Sequence, residues 1–130
     1  MYRRLVIRRA SLVLAWWVIP LAIAACASSF NLARAEVTGF AAENGWHPPD
    51  DDLLLEVLNL HAPVLSRDSS SRDLLASGYF ACHSLGEGDD VAGLWVQGMT
   101  ESGRTRAQVH ALLASAMESL CPWHLEANSQ

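Results

Sequence analysis

Residues 82–121, CHSLGEGDDVAGLWVQGMTESGRTRAQVHALLASAMESLC, open and close on a cysteine, and each cysteine adjoins a helical pattern. Leu75, Tyr79 and Cys82 recur at i, i+4 and i+7, the spacing that sets side chains on one stripe of a 3.6-residue helix. Val109, Leu112, Leu113, Ala116 and Leu120 make a second stripe, with Cys121 beside it just before Pro122, whose ring and missing N–H stop a helix. Two helices facing each other through these stripes can bring the sulfurs together. A bridge across that loop would restrict the unfolded chain by about 4 kcal/mol in the chain-entropy model. For a small domain, whose total stability is typically about 5–15 kcal/mol, that is a large share.

Working outward from the pair, Gly86-Glu87-Gly88 marks a turn, and Asp89 is expected to cap a helix carrying Val91, Leu94, Trp95 and Met99 at helical spacing. Ser102-Gly103 breaks it, and Thr105 with Gln108 forms a capping box for the helix that leads to Cys121. On the other side, Ser70 with Asp73 approximates a capping box for a helix over 74–85. Before that, Pro48-Pro49-Asp50-Asp51-Asp52 opens a helix with a face of Leu54, Val57, Leu58 and His61, widened by Leu53 and Leu60 and ended by Pro63. Carboxylates at a helix start accept from its unpaired N–H groups, which accounts for the Asp run without calcium. A calcium loop needs spaced oxygen ligands and a distal glutamate, and consecutive aspartates leading into Leu53-Leu54-Leu55 lack that arrangement. The expected architecture is all-α, a small bundle of about four short helices stapled by one disulfide.

The N-terminal stretch is of a different kind. Arg3, Arg4, Arg8 and Arg9 precede an uncharged run, ASLVLAWWVIPLAIAA (10–25), interrupted by Pro20. A basic start before a short apolar run reads as an export signal, since a comfortable membrane span takes about 20 residues. Arg8-Arg9 is a weak match to a twin-arginine signal, because Ser11 stands where that signal wants an apolar side chain. Two cut sites are open. Ala33-Arg34-Ala35 is a small-x-small site that would leave Glu36 first, whereas Ile23-Ala24-Ala25-Cys26 resembles a bacterial lipobox that would acylate Cys26 and make it the mature N-terminus. The chain therefore divides into a signal peptide over 1–35, or 1–25 with Cys26 as candidate lipidation site, a flexible lead-in over 36–49, a helical disulfide domain over 50–123 and a mobile tail over 124–130.

Charge is distributed just as unevenly. Nine arginines and no lysine face fourteen acidic residues; beyond residue 35 only four arginines remain against all fourteen acids, a net charge of −10. Such a surface repels phosphate backbones and anionic lipid, so nucleic acid is not an expected partner. Membrane contact is expected only through the signal segment or a lipid on Cys26, and the domain itself is expected to be a monomer.

The run Asp51-Asp52-Leu53-Leu54 through Leu58, then Ala81-Cys82 with Leu85-Gly86-Glu87-Gly88, then Val109 through Ala116 to Leu120-Cys121-Pro122, resembles an exported actinobacterial family known as domain of unknown function 732. The resemblance spans about residues 50–123. It implies a small helical secreted domain whose two cysteines pair, Cys82 with Cys121, and it brings no established activity. His61-Ala62-Pro63 departs from the glycine-containing turn usual there.

Other constellations are weaker. Cys82-His83 and Cys121-Pro122-Trp123-His124 offer two sulfurs and two imidazoles, but neighbouring helical residues point about 100° apart, and an oxidising compartment favours a disulfide over zinc. Tyr79 and His83 lie four apart, as haem ligands can, yet Tyr79 already belongs to a core stripe. The serines have no elbow-type glycine context, and the paired aspartates sit at helix starts. No catalytic, metal or cofactor site is therefore expected. The expected role is a non-enzymatic interaction module at or outside the cell envelope, with an unidentified protein partner. Trp95 and Met99, with Leu94, are the candidate apolar contact. The alternative is a carrier of a lipid or haem in a cavity between helices.

Overall fold

The structure, a computed structural model, describes residues 29–128. Residues 29–43 are helical (α1), followed by α2 (Asp51–His61), α3 (Pro63–Asp68), α4 (Ser71–Glu87), α5 (Asp89–Glu101), α6 (Arg106–Ser119) and α7 (Trp123–Asn128). Among the described residues there is no strand, as the sequence implied, but there are seven helical segments in place of about four. The signal segment and Cys26 lie outside the described residues.

The core is built by α2, α4 and α6. Leu54 and Leu58 from α2, Leu74, Tyr79 and Ala81 from α4, and Val109, Leu112 and Ala116 from α6 are almost wholly withdrawn from solvent, together with Leu120 and Cys121. Each helix starts where its chemistry dictates. The Asp50 carboxylate accepts from the Leu53 N–H at 3.0 Å, Ser70 Oγ accepts from Asp73 N–H, and Thr105 and Gln108 complete a reciprocal capping box. The Asp50 N–H donates to the carbonyl of Ser119 at 3.0 Å and ties the start of α2 to the end of α6.

The buried stripe of α4 is offset from the one expected. Leu74, Gly78, Ala81 and Cys82 are buried with Tyr79, whereas Leu75 is only half-buried. Gly78 is the point of closest approach: a methyl there would stand 2.8 Å from Leu54 Cδ2 and 3.0 Å from Leu120 Cδ1. The stripe turns toward the side where a missing side chain lets two leucines in.

The segment 36–49, expected to be a flexible lead-in, is helical as far as residue 43. Ala33, Val37 and Ala41, spaced by four, are buried. The helix ends on Gly45 at φ 73°, with the Trp46 N–H donating to the Ala41 carbonyl at 2.9 Å, the 6→1 bond of a glycine C-cap. The tail expected to be mobile is likewise helical over Trp123–Asn128. Its Trp123 ring packs against Phe40 (centroids 4.8 Å apart) and Trp46 (6.0 Å), burial that an isolated two-turn helix needs to persist. The connection after α2 also differs. Ala62 takes φ −141°, an extended φ suited to a residue before proline, and Pro63 opens α3, whose Leu65 is buried.

Asp89 was expected to cap α5. It is instead the first helical residue, and Gly88 at φ 116° holds the cap position with no side chain to offer.

Candidate functional site

Cys82 and Cys121 are joined. Their Cα atoms are 6.0 Å apart, within the usual reach of a disulfide, and the bridge fixes the end of α6 to the middle of α4. With both sulfurs committed, the thiolates a zinc site would require are absent at these positions. Tyr79 and His83 do not converge on a common point either. The Tyr79 hydroxyl donates to Asp51 Oδ1 at 2.6 Å, while His83 Nδ1 lies 2.6 Å from Glu36 Oε2. Burial, then the hydrogen bond and charge of Asp51, push the Tyr79 phenol well above the usual tyrosine range, so it stays neutral and donates. Arg34 completes this group, with Nη2 2.6 Å from Asp51 Oδ2 and its guanidinium 5.5 Å from the centre of the Tyr79 ring.

Beside the disulfide lies a cavity of about 230 Å³ lined by Glu36, Val37, Phe40, Cys82, His83, Gly86, Trp123 and His124. α1, α4 and α7 each supply part of it. Burial lowers the pKa of His124, which favours the neutral imidazole. At the rim, Glu36, His83 and Glu87 each bring a ligand atom to within 4.8 Å of the others, close enough to converge on a divalent cation. Both carboxylates are exposed, however, and an exposed His–Glu contact competes poorly with solvation. Glu36 was missed by sequence reasoning because it comes from the supposed lead-in. His83 and Glu87 were legible as an i, i+4 pair, but nothing local says which distant carboxylate meets them.

The other candidate is α5. None of its thirteen residues is buried. Ala92, Trp95, Val96 and Met99 are half-buried and form the stripe that leans on the domain, while Leu94 is 67% exposed and Val91 37%. The sequence grouped Val91 and Leu94 with Trp95 and Met99 on one face, and the fold leaves the first two outside. Arg104 Nη1 donates to Ser77 Oγ at 3.3 Å and contacts Met99 Sδ at 3.1 Å, a polar tie where a buried side chain would otherwise anchor the helix. On the opposite flank, Gly93, Val96, Gln97, Thr100, Glu101 and Arg106 border an open cleft of about 360 Å³ between α5 and the start of α6. No described helix is long and apolar enough to cross a membrane.

A disulfide-stapled, all-helical small domain with an under-packed peripheral helix is thus the class this fold and its surfaces define. The chain belongs to the family described as Protein of unknown function (DUF732), whose sequence model matches residues 49–123, from just before α2 to the start of α7. No curated protein and no solved structure matches the chain.

Proposed function

We propose that this is an exported, non-enzymatic interaction domain acting at or outside the cell envelope, with α5 as the surface it presents to a protein partner. The observation that carries the reading is a thirteen-residue helix with no buried side chain and Leu94 standing two-thirds exposed. Asp89 and Asp90 at one end and Glu101 at the other flank its apolar residues, and the helix itself has no basic residue. That pattern suits a protein surface with an apolar centre and a basic rim and disfavours an anionic membrane.

The non-enzymatic reading is supported by the cavity beside the disulfide. Its one carboxylate is paired with His83, its sulfur is bridged, and its remaining lining is apolar apart from His124. The carrier alternative has less support: cavities of about 230–360 Å³ sit at or below the low end of the roughly 300–1,000 Å³ of small-molecule sites. Export rests on the basic, apolar start of the chain.

A photo-crosslinking side chain at Leu94, compared with one at the equally exposed Leu60 on α2, tests the surface in cells that export the protein. A discrete adduct from Leu94 that is absent from Leu60 and lost on Val91→Asp supports it. Equal adducts from both positions, or none from Leu94, overturn it. A small molecule retained stoichiometrically in a native mass spectrum would instead favour the carrier.

A further inference from the structure

We infer that Glu36, His83 and Glu87 form a site for a divalent transition-metal ion, zinc, that clamps α1 to α4 on the surface beside the disulfide. One ligand atom from each residue lies within 4.8 Å of the other two. His83 and Glu87 are four apart on α4, which sets both on one face, and Glu36 meets them from α1. The backbone beneath is fixed. Val37 beside Glu36 is buried, as are Cys82 and Ser84 on either side of His83, and Cys82 is bridged to Cys121. The three side chains stand on anchored helices, so only their own rotamers have to be ordered around an ion.

The local charge favours a cation at this place. Glu87 ends α4, where unpaired carbonyls already favour positive charge, yet the last turn of that helix carries no basic residue. Among the described residues Glu87 has no ion-pair partner, and Arg34, two residues before Glu36, is engaged by Asp51. Two carboxylates therefore share this corner with one imidazole and no fixed cation. His83 Nδ1 and Glu36 Oε2 stand 2.6 Å apart, a separation held by a single proton. In a tetrahedral site with metal–ligand bonds of about 2.0–2.2 Å, neighbouring ligand atoms are roughly 3.3 Å apart, so the pair opens by roughly 0.7 Å to admit zinc. The proton leaves to solvent as the ion takes its place, and Glu87 closes from the other side. The exposed His–Glu contact is worth little alone, but an ion holds three groups where a proton holds two. An imidazole selects zinc over calcium and magnesium, which prefer oxygen ligands alone. The fourth position is left to water. Either cut in the precursor keeps all three residues, and α5 takes no part, so the site does not depend on the export or partner readings.

The test is a zinc titration of untagged protein, purified from cells expressing the full chain and stripped of metal with a chelator. One zinc per chain is expected by calorimetry, with the Tm raised by about 4 °C or more at saturating zinc. His83→Gln, Glu36→Gln and Glu87→Gln should each weaken binding by about tenfold or more and lose the Tm rise, whereas His110→Gln on α6 should leave both unchanged. None of these four side chains is buried, so the variants are expected to keep the wild-type Tm without zinc. In the unaltered protein zinc should also shift the ring-nitrogen NMR resonances of His83 and leave those of His61 and His110 in place, a readout that needs no variant. Failure to bind zinc, binding that survives all three substitutions, resonance shifts confined to other histidines, or an equal response to calcium or magnesium overturns the assignment.

Discussion

α5 and α6 are neighbours of nearly equal length, thirteen and fourteen residues, with opposite fates. α6 buries Val109, Leu112, Ser115, Ala116 and Ser119 and runs on into buried Leu120 and Cys121, whereas α5 buries nothing. Their apolar content does not explain this, since α5 carries Val91, Leu94, Trp95, Val96 and Met99. What separates them is what each finds opposite. α6 lies between α2 and α4, is closed by the disulfide, and its small residues Ser115, Ala116 and Ser119 let it come close. α5 lies at the edge, leaning Trp95, Val96 and Met99 on α4 and α6 without burying any of them. An apolar stripe specifies a helix, then, and burial depends on whether another face is there to meet it.

The largest break in the comparison would come from the staple. Cys82→Ser with Cys121→Ser is expected to cost about 4 kcal/mol for a bridge of this span, read as a lower midpoint in urea; an unchanged midpoint would remove the disulfide as the reason α6 is held. Next, Leu112→Ala on α6 should cost about 3 kcal/mol through the cavity it leaves, while Leu94→Ala on α5 should stay within about 0.5 kcal/mol. Equal losses in chemical denaturation would contradict the contrast.

Glycines sharpen it further. Gly78→Ala puts a methyl against Leu54 and Leu120 and is expected to destabilise by roughly 1 kcal/mol net, overpacking outweighing the helix preference. A methyl at Gly93 or Gly98 of α5 meets nothing within 4 Å, so Ala at each should stabilise by about 0.5–1 kcal/mol, with slower amide exchange across α5 as the sign. The smallest effect concerns α7. Burial lowers the pKa of His124 in the fold, so below the unfolded value of about 6.5 the unfolded chain takes up the proton first and stability falls with pH. His124→Gln should flatten the profile as pH falls below about 6.5, and a profile identical to wild type would show that the imidazole is not the group responsible.

The candidate site was legible only in halves. His83 and Glu87 share a helix face, but Glu36 reaches them from α1, whose second half the sequence reading placed in a flexible lead-in over 36–49. Gly45 after an alanine-rich run was the overlooked signal, a glycine cap with Ala33, Val37 and Ala41 at intervals of four before it. α3 and α7 went unseen because six residues are too few to show a period, and both exist through contacts made by Leu65 and Trp123.

By itself the sequence determined the helical class, the starts of α2, α4 and α6 at Asp50, Ser70 and Thr105, the breaks at Pro63, Gly88 and Gly103, and the two cysteines free to pair. Those follow from caps, ring constraints, positive φ and periodicity, all set within a few residues of chain. Tertiary structure alone decided that α4 turns its Gly78 side inward, that Arg34 reaches Asp51 and Tyr79, and that α5 is left outside. Each depends on surfaces brought together from distant positions, and local spacing carries no record of which surface will be there.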